Sequence, residues 1–299
     1  MFFRLCRLAE LLVEGVSWLS GCFKGTILPC GRAAGRQRAK TKPERPVLTM
    51  TQQPIFETRL AVSQADMQAA QALRYQVFVD ELGADGPLVD HDAGLEVDRF
   101  DDFASQLILL DHGRAEGDRV VGVYRIMDGD AAQAAGGFYS QAEYDIAPLI
   151  ATGRPLLELG RSCLHRDYRG GAAMLHLWQG LAGVVRDTGA EVLFGVASLH
   201  GTDPQALAQP LSLLARDHLA PADVRARSKA YQSMSLAAQI YRVSAMKQVP
   251  ALIKAYLRLG GFVGDGAFVD HQFNTTDVCL VLDTARMNPR QRAIYERPL

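Results

Sequence analysis

Residues 156–197 read LLELGRSCLHRDYRGGAAMLHLWQGLAGVVRDTGAEVLFGVA, and this stretch decides the fold. LLELGRSCL (156–164) is an apolar run of strand length, and it leads into a turn that carries Gly170 and Gly171. GAAMLHLWQGLAGVVRDTG then spaces its apolar residues for a long helix that stops near Gly189, and EVLFGVA returns as a strand. Strand, glycine turn, helix and strand make a unit of α/β type. Toward the N-terminus, SQLILLDH and RVVGVYRIM are joined by GRAEGD, a hairpin signature. Before them, residues 66–82 predict a helix with Met67, Ala70, Leu73, Val77 and Phe78 on one face and Gly83 as its stop. Toward the C-terminus, PALIKAYLRLGG predicts a helix ended by Gly260 and Gly261, and DVCLVLD a late strand.

The whole chain has 299 residues, room for one large domain or two ordinary ones. With 48% hydrophobic and 22% charged residues it can fill a core, so a largely disordered chain is excluded. Five cysteines without CxxC spacing and seven scattered histidines argue against a zinc site and a disulfide framework, and no metal is expected. The net charge of -1 hides a split. Residues 1–49 hold nine Lys/Arg and three acids, giving +6 and leaving -7 for the rest. A mildly acidic body offers no footprint for nucleic acid.

In that basic head Leu5, Leu8, Leu12, Val16, Leu19 and Phe23 recur at helical spacing, but Glu10 and Glu14 break the run a bilayer crossing or a signal peptide requires. The head reads in two ways: as a helix lying on an anionic membrane surface, or as sequence upstream of a natural start at Met50. The expected organisation is thus a head and linker over 1–49 and one domain over 50–299.

The residues able to carry chemistry cluster in four segments: LRYQVFVDELG, EVDRFDD, VVGVYRIM and LLELGRSCLHRDYRGG. They place Arg74, Asp98, Asp101, Arg125, Glu158 and Arg161 where charged groups point inward or into a cleft, and such groups need one another because an unpaired buried charge is costly. A structural ion-pair network and an active site both fit that pattern. Arg169, Gly170 and Gly171 follow a strand and open a helix, where backbone N–H groups favour a phosphate. The full GxGxxG is absent, so that turn alone is a weak signal. Cys163, on an apolar strand, reads as a small buried hydrophobe.

Taken in order, these segments resemble the acyl-homoserine-lactone synthases and their relatives in the N-acetyltransferase-like superfamily. The matching residues are Arg74, Phe78, Asp98, Asp101, Arg125, Glu158 and Arg161; the Trp such synthases carry after the first helix is missing from LGADGPLVD. Farther on, ASLHGTDP (197–204) and KAYLRLGGFVGDGAFVDHQFNTTDVCLVLD (254–283) resemble the ornithine N-acyltransferases, extending the likeness over residues 55–284.

The resemblance implies an α/β mixed sheet flanked by helices, with a V-shaped opening between strands for a phosphopantetheine arm. It implies transfer of a 3-hydroxyacyl chain from acyl carrier protein to the α-amine of L-ornithine, without a metal or redox cofactor; the expected location is the cytoplasm, with peripheral contact at the inner membrane on the membrane-surface reading of the basic head. On this reading Glu158, Asp98 and Asp101 are candidates for the base or for positioning the amine. Arg74, Arg125 and Arg161 hold the acids and the amino acid carboxylate, while Arg166, Arg169, Gly170 and Gly171 meet the carrier's arm. His200 is a loop candidate for substrate contact, and Tyr168 a candidate to protonate the leaving thiolate. Apart from any family, Asp265, Asp270 and Asp277 bring carboxylates beside a glycine-rich loop, and a dibasic amino acid needs an acidic partner for its side-chain ammonium. The competing expectations are a lactone synthase, which would bind S-adenosylmethionine, and a non-catalytic lipid-binding protein.

Overall fold

The computed structural model describes residues 53–287, 289, 290 and 293. The basic head and the proposed boundary at Met50 lie outside the described residues. In chain order the described elements begin β1 (Phe56–Leu60), α1 (Gln64–Arg74), β2 (Val89–Asp90), β3 (Leu95–Glu96), β4 (Ser105–Asp111), β5 (Val120–Asp128), α2 (Gly129–Ala134), β6 (Tyr144–Asp145) and α3 (Ala147–Ala151). Then come β7 (Leu156–Leu164), α4 (Ala173–Thr188), β8 (Val192–His200), α5 (Ala208–Asp217), β9 (Arg227–Ser228), α6 (Arg242–Gln248), α7 (Ala251–Arg258), β10 (Phe262–Val263), β11 (Phe268–Asp270) and β12 (Thr275–Asp283).

The main sheet has eight strands, ordered β1-β4-β5-β7-β8-β12-β10 with β11 also on β12. Its pairings are antiparallel except β7 with β8, which are joined by the crossover through α4 and run parallel. The sheet is therefore mixed, as expected from the α/β unit. Alternation along β4 explains why both faces are covered. Leu107 and Leu109 join the core on the α4 side, while Ile108 and Leu110 join Leu73 and Val77 beneath α1. Among the described residues no helix is long and apolar enough to cross a membrane.

Two departures from the sequence reading shape the site. The helix expected over 66–82 starts at Gln64, with Ser63 as a reciprocal cap to Asp66, and changes to a π-helical turn over Tyr75–Glu81. Its wider pitch follows directly after Arg74, whose side chain is wholly buried. The strand over 156–164 contains a bulge: Val123 pairs with Cys163 and Arg125 with Gly160, so Arg161 and Ser162 together face one residue of β5. Arg161 takes φ +49, a region few side chains adopt.

The opening between strands exists. β7 and β8 pair only over Leu156–Glu158 and Val192–Phe194, and then part. Gly195 stands at the apex; a Cβ there would come within 2.0 Å of the Leu159 carbonyl oxygen, so only glycine lets the strands meet at that point. Past the apex β8 keeps its pairing with β12 out to His200, which leaves the far half of β7 to line a cleft.

Candidate active site

The cleft encloses a cavity of about 220 Å³ whose walls include Glu158, Arg161, Ser162, Tyr139, Phe78, Asp270, Thr275 and Asp277. Beyond the strand apex lies a second, half-open cavity of about 600 Å³ between α4, α7 and the sheet, walled mostly by apolar side chains such as Trp178, Leu181, Val185, Leu259 and Leu282, with Arg186 and Glu191 also in its lining. Leu193 and Tyr256 belong to the walls of both. Cys163 is buried beside neither, and burial pushes its thiol up to about 12, which rules it out as a ready nucleophile.

The expected charged residues do converge, and they are organised by one that the sequence reading left out. Arg74 forms a two-pronged pair with Asp101, at 2.7 and 2.8 Å, and donates from Nε to Glu96. Glu96 in turn accepts from Arg161 Nε at 3.1 Å, and Arg161 Nη2 donates to Asp98 at 2.7 Å. Arg125 Nη1 stands 2.9 Å from the same Asp98 oxygen, as an ion pair rather than an aligned hydrogen bond. Glu96 is thus the bridge between Arg74 and Arg161, and it is 2% exposed. LEVD alternates like a strand, so Glu96 shares a face with Asp98; that spacing was the available signal.

The three residues expected to act on the amine are separated by this arrangement. Asp101 is saturated: Arg74, Gln71, Gln106 and the Asp98 amide all donate to it. Burial pushes the Asp101 and Asp98 carboxyls up, but Arg74 on the one and Arg125 with Arg161 on the other pull both below the usual range. Neither lines the cavity. Glu158 does, and it is placed differently. Its two oxygens accept the backbone amides of Tyr139 and Ser140, at 2.8 and 2.6 Å, and burial raises its carboxyl above the ordinary value. Of the three, Glu158 alone stands in the cleft with its proton affinity increased, the condition a base for an ammonium needs. Arg125 and Arg161 both lie over the Tyr139 ring, at 4.9 Å each, which ties the network to the cleft wall.

At the same cavity, within electrostatic reach of Arg161, is a group of carboxylates. Glu143, Asp270 and Asp277 each offer an oxygen within 4.8 Å of the others. Asp270 ends β11 and Asp277 lies on β12, two strands that pair, and Glu143 precedes β6. Burial, then Asp277 and Asp270, push the Glu143 carboxyl up to about 8, and burial pushes Asp277 up to about 6. The group could hold a cation, metal or organic. Asp265, expected to join it, does not; it accepts from the Tyr231 hydroxyl at 2.9 Å and sits near Arg227. His200 is exposed at the end of β8, outside the cavity wall.

The carrier-side residues lie at the entry to α4. Arg166 is exposed, and Arg169 makes a two-pronged pair with Glu81 while its Nε donates to the Leu164 carbonyl. Gly170 has φ +91, and Gly171 has open space around it. No side chain caps the first turn of α4, so its amides remain available to an anion. Tyr168 donates to Asp111 at 2.6 Å and lies outside the cleft, against its expected role as proton donor.

Residues 73–179, which include β7 of the two strands that part around the cleft, match the acetyltransferase (GNAT) domain family, and the class of the protein is N-acyltransferase. The chain is 54% identical over 246 residues to the L-ornithine N(alpha)-acyltransferase of Rhodobacter capsulatus, covering 81% of this chain and 95% of that protein. It is 41% identical over 249 residues to the enzyme of the same name from Brucella abortus, covering 80% and 88%. Among solved structures, FeeM, an N-acyl amino acid synthase from uncultured soil microbes, is similar at 12% identity and a TM-score of 0.46, covering 78% of this chain and 94% of that one. The chain belongs to the L-ornithine N(alpha)-acyltransferase family, the one its residues 55–284 resemble.

Proposed function

We propose that this protein transfers a 3-hydroxyacyl chain from an acyl carrier protein thioester to the α-amine of L-ornithine, giving lyso-ornithine lipid, the first step of ornithine lipid synthesis. The observation that carries the reading is the adjacency of two spaces: a cavity with Glu158, Arg161, Asp270 and Asp277 in its wall is separated only by shared wall residues, Leu193 and Tyr256, from a second cavity lined mostly by apolar side chains. A polar acceptor on one side of a thioester and a lipid tail on the other need that division of space.

In the reaction the amine nitrogen attacks the thioester carbonyl, the C–N bond forms, and the C–S bond breaks to release a thiolate. The amine arrives as an ammonium and must lose its proton before it attacks. Glu158, with its raised proton affinity, takes that proton directly or through water. Asp98, Asp101, Arg74 and Arg125 keep Arg161 and the cleft wall in place, and Arg161 meets the acceptor's carboxylate. Arg166, Arg169 and the first turn of α4 receive the phosphate of the carrier's arm. An amphiphilic product suits contact with a membrane surface.

The test is to incubate the purified chain with carrier protein thioesters and a panel of amino acids and read the products by mass spectrometry. An N-acylornithine with release of carrier thiol is expected. A lactone formed from S-adenosylmethionine, or no acyl transfer to any amino acid, overturns the reading.

A further inference from the structure

We propose that Glu143, Asp270 and Asp277 form the subsite for the side-chain ammonium of the acceptor, and that Glu143 makes the enzyme select a dibasic amino acid over a neutral one. This rests on the reading above. The three oxygens come from separate parts of the chain and still lie within 4.8 Å of one another. Among the described residues no Lys, Arg or His forms an ion pair with any of them. Arg161 is the cation that acts on them, and it is already committed to Glu96 and Asp98.

Hydrogen bonding points the same way. Glu143 Oε2 and Asp277 Oδ1 are buried and accept no hydrogen bond of standard geometry, although the Tyr139 hydroxyl near the one and those of Ser198 and Thr275 near the other ease the two charges. Thr275 Oγ1, outside the acidic group, is 6% exposed at the residue level, lines the same cavity and is also without such a bond. Buried polar atoms left unpartnered are costly; those of Asp277 and Thr275 lie in the cavity wall together with Asp270, and Glu143, outside the wall, offers an oxygen within 4.8 Å of Asp270 and Asp277. A primary ammonium supplies what is missing: one positive charge and N–H donors in three directions. A divalent metal could also sit among three carboxylates with waters completing its shell, and the EDTA arm of the experiment separates the two occupants.

The experiment compares ornithine with norvaline, which has the same carbon chain and no side-chain amine, using the full chain and its Glu143→Gln and Asp270→Asn variants. In the wild type kcat/KM for ornithine exceeds that for norvaline. In Glu143→Gln the ornithine-to-norvaline ratio should fall at least tenfold, with Asp270→Asn, at a less buried position, shifting it in the same direction. Variants that lose both activities in proportion, or keep the ratio, overturn the subsite while leaving the proposed function standing. Loss of the wild-type preference on adding EDTA, restored by magnesium or calcium ions, overturns it in favour of a metal site. A wild type that prefers norvaline overturns the ornithine reading and the subsite together.

Discussion

Two charged clusters border the cleft, one reaching it through Arg161 and the other through Asp270 and Asp277, and these two walls are built on opposite electrostatic plans. On one, Arg74, Arg125 and Arg161 meet Glu96, Asp98 and Asp101, so every charge has an internal partner. On the other, Glu143, Asp270 and Asp277 face one another with no cation among the described residues paired to them. A buried network that is complete holds its members still and costs a great deal to break at one point. A buried group of like charges is incomplete by itself and gains most from something that comes and goes. The first wall therefore positions, and the second receives.

Breaking the complete wall should give the largest effect. Arg74→Met strands Glu96 and Asp101 in the interior, and removing one partner of a buried pair costs about 3–5 kcal/mol. Urea unfolding is the measurement, and a midpoint equal to wild type would mean that the network does not hold the fold together.

How much of this contrast the sequence disclosed follows from where the residues sit. Arg125, Glu158 and Arg161 lie on long strands, where alternation and a hairpin turn give each charge a face, and those elements matched the reading. Glu96 stands on a strand of only two residues, too short for a pattern to rise above its neighbours. Glu143 follows a 3-10 turn, and its partners are more than 120 residues away, so only the closure of β11 and β12 across the sheet brings them together. The bulge at Arg161 was hidden for another reason: φ +49 without glycine is held by the ion pairs to Glu96 and Asp98, which are tertiary.

Next in size is Glu158→Gln, which keeps the shape that caps the Tyr139 and Ser140 amides in part and removes the basic oxygen. For a general base the rate should fall by about 10² or more at saturating ornithine. The wild-type rate should also decline as pH falls through a pKa above that of an ordinary glutamate, because burial raises this carboxyl. A fall in Tm with kcat intact would make Glu158 a structural residue that holds the Tyr139 and Ser140 amides rather than the base.

A pH titration of stability sharpens the comparison at the other wall. Glu143 is surrounded by Asp277 on β12, Asp270 on β11, Tyr139 on its own segment and Arg161 on β7, and its pKa stands at about 8 against an ordinary 4.5. A folded-state pKa above the unfolded one means that the folded protein keeps a proton the unfolded chain has released. Stability from this group is thus present at low pH, falls as pH rises from about 4.5, and is fully lost above about 8. Glu143→Gln fixes the neutral form. Its unfolding free energy should match wild type below about pH 4.5 and exceed it by about 4 kcal/mol at pH 8. Saturating ornithine should narrow that gap by supplying the cation to the wild type alone. Equal pH profiles for the two proteins would show that the wall is not frustrated.

The smallest structural effect, and the most selective functional one, is expected outside both walls at Arg169. Its pair with Glu81 is exposed, and such pairs are worth about 0–1 kcal/mol, so Arg169→Glu should shift the melting temperature little. The functional consequence is different in kind. The reversal places a negative charge beside the uncapped first turn of α4, where an incoming phosphate and an acidic carrier would approach. The KM for acyl carrier protein should rise several-fold while the KM for ornithine stays near its wild-type value. Raised salt should shrink the difference, because screening weakens attraction in the wild type and repulsion in the variant alike. If both KM values move together, Arg169 acts through its hold on the Leu164 carbonyl and on Glu81, and the carrier must dock elsewhere.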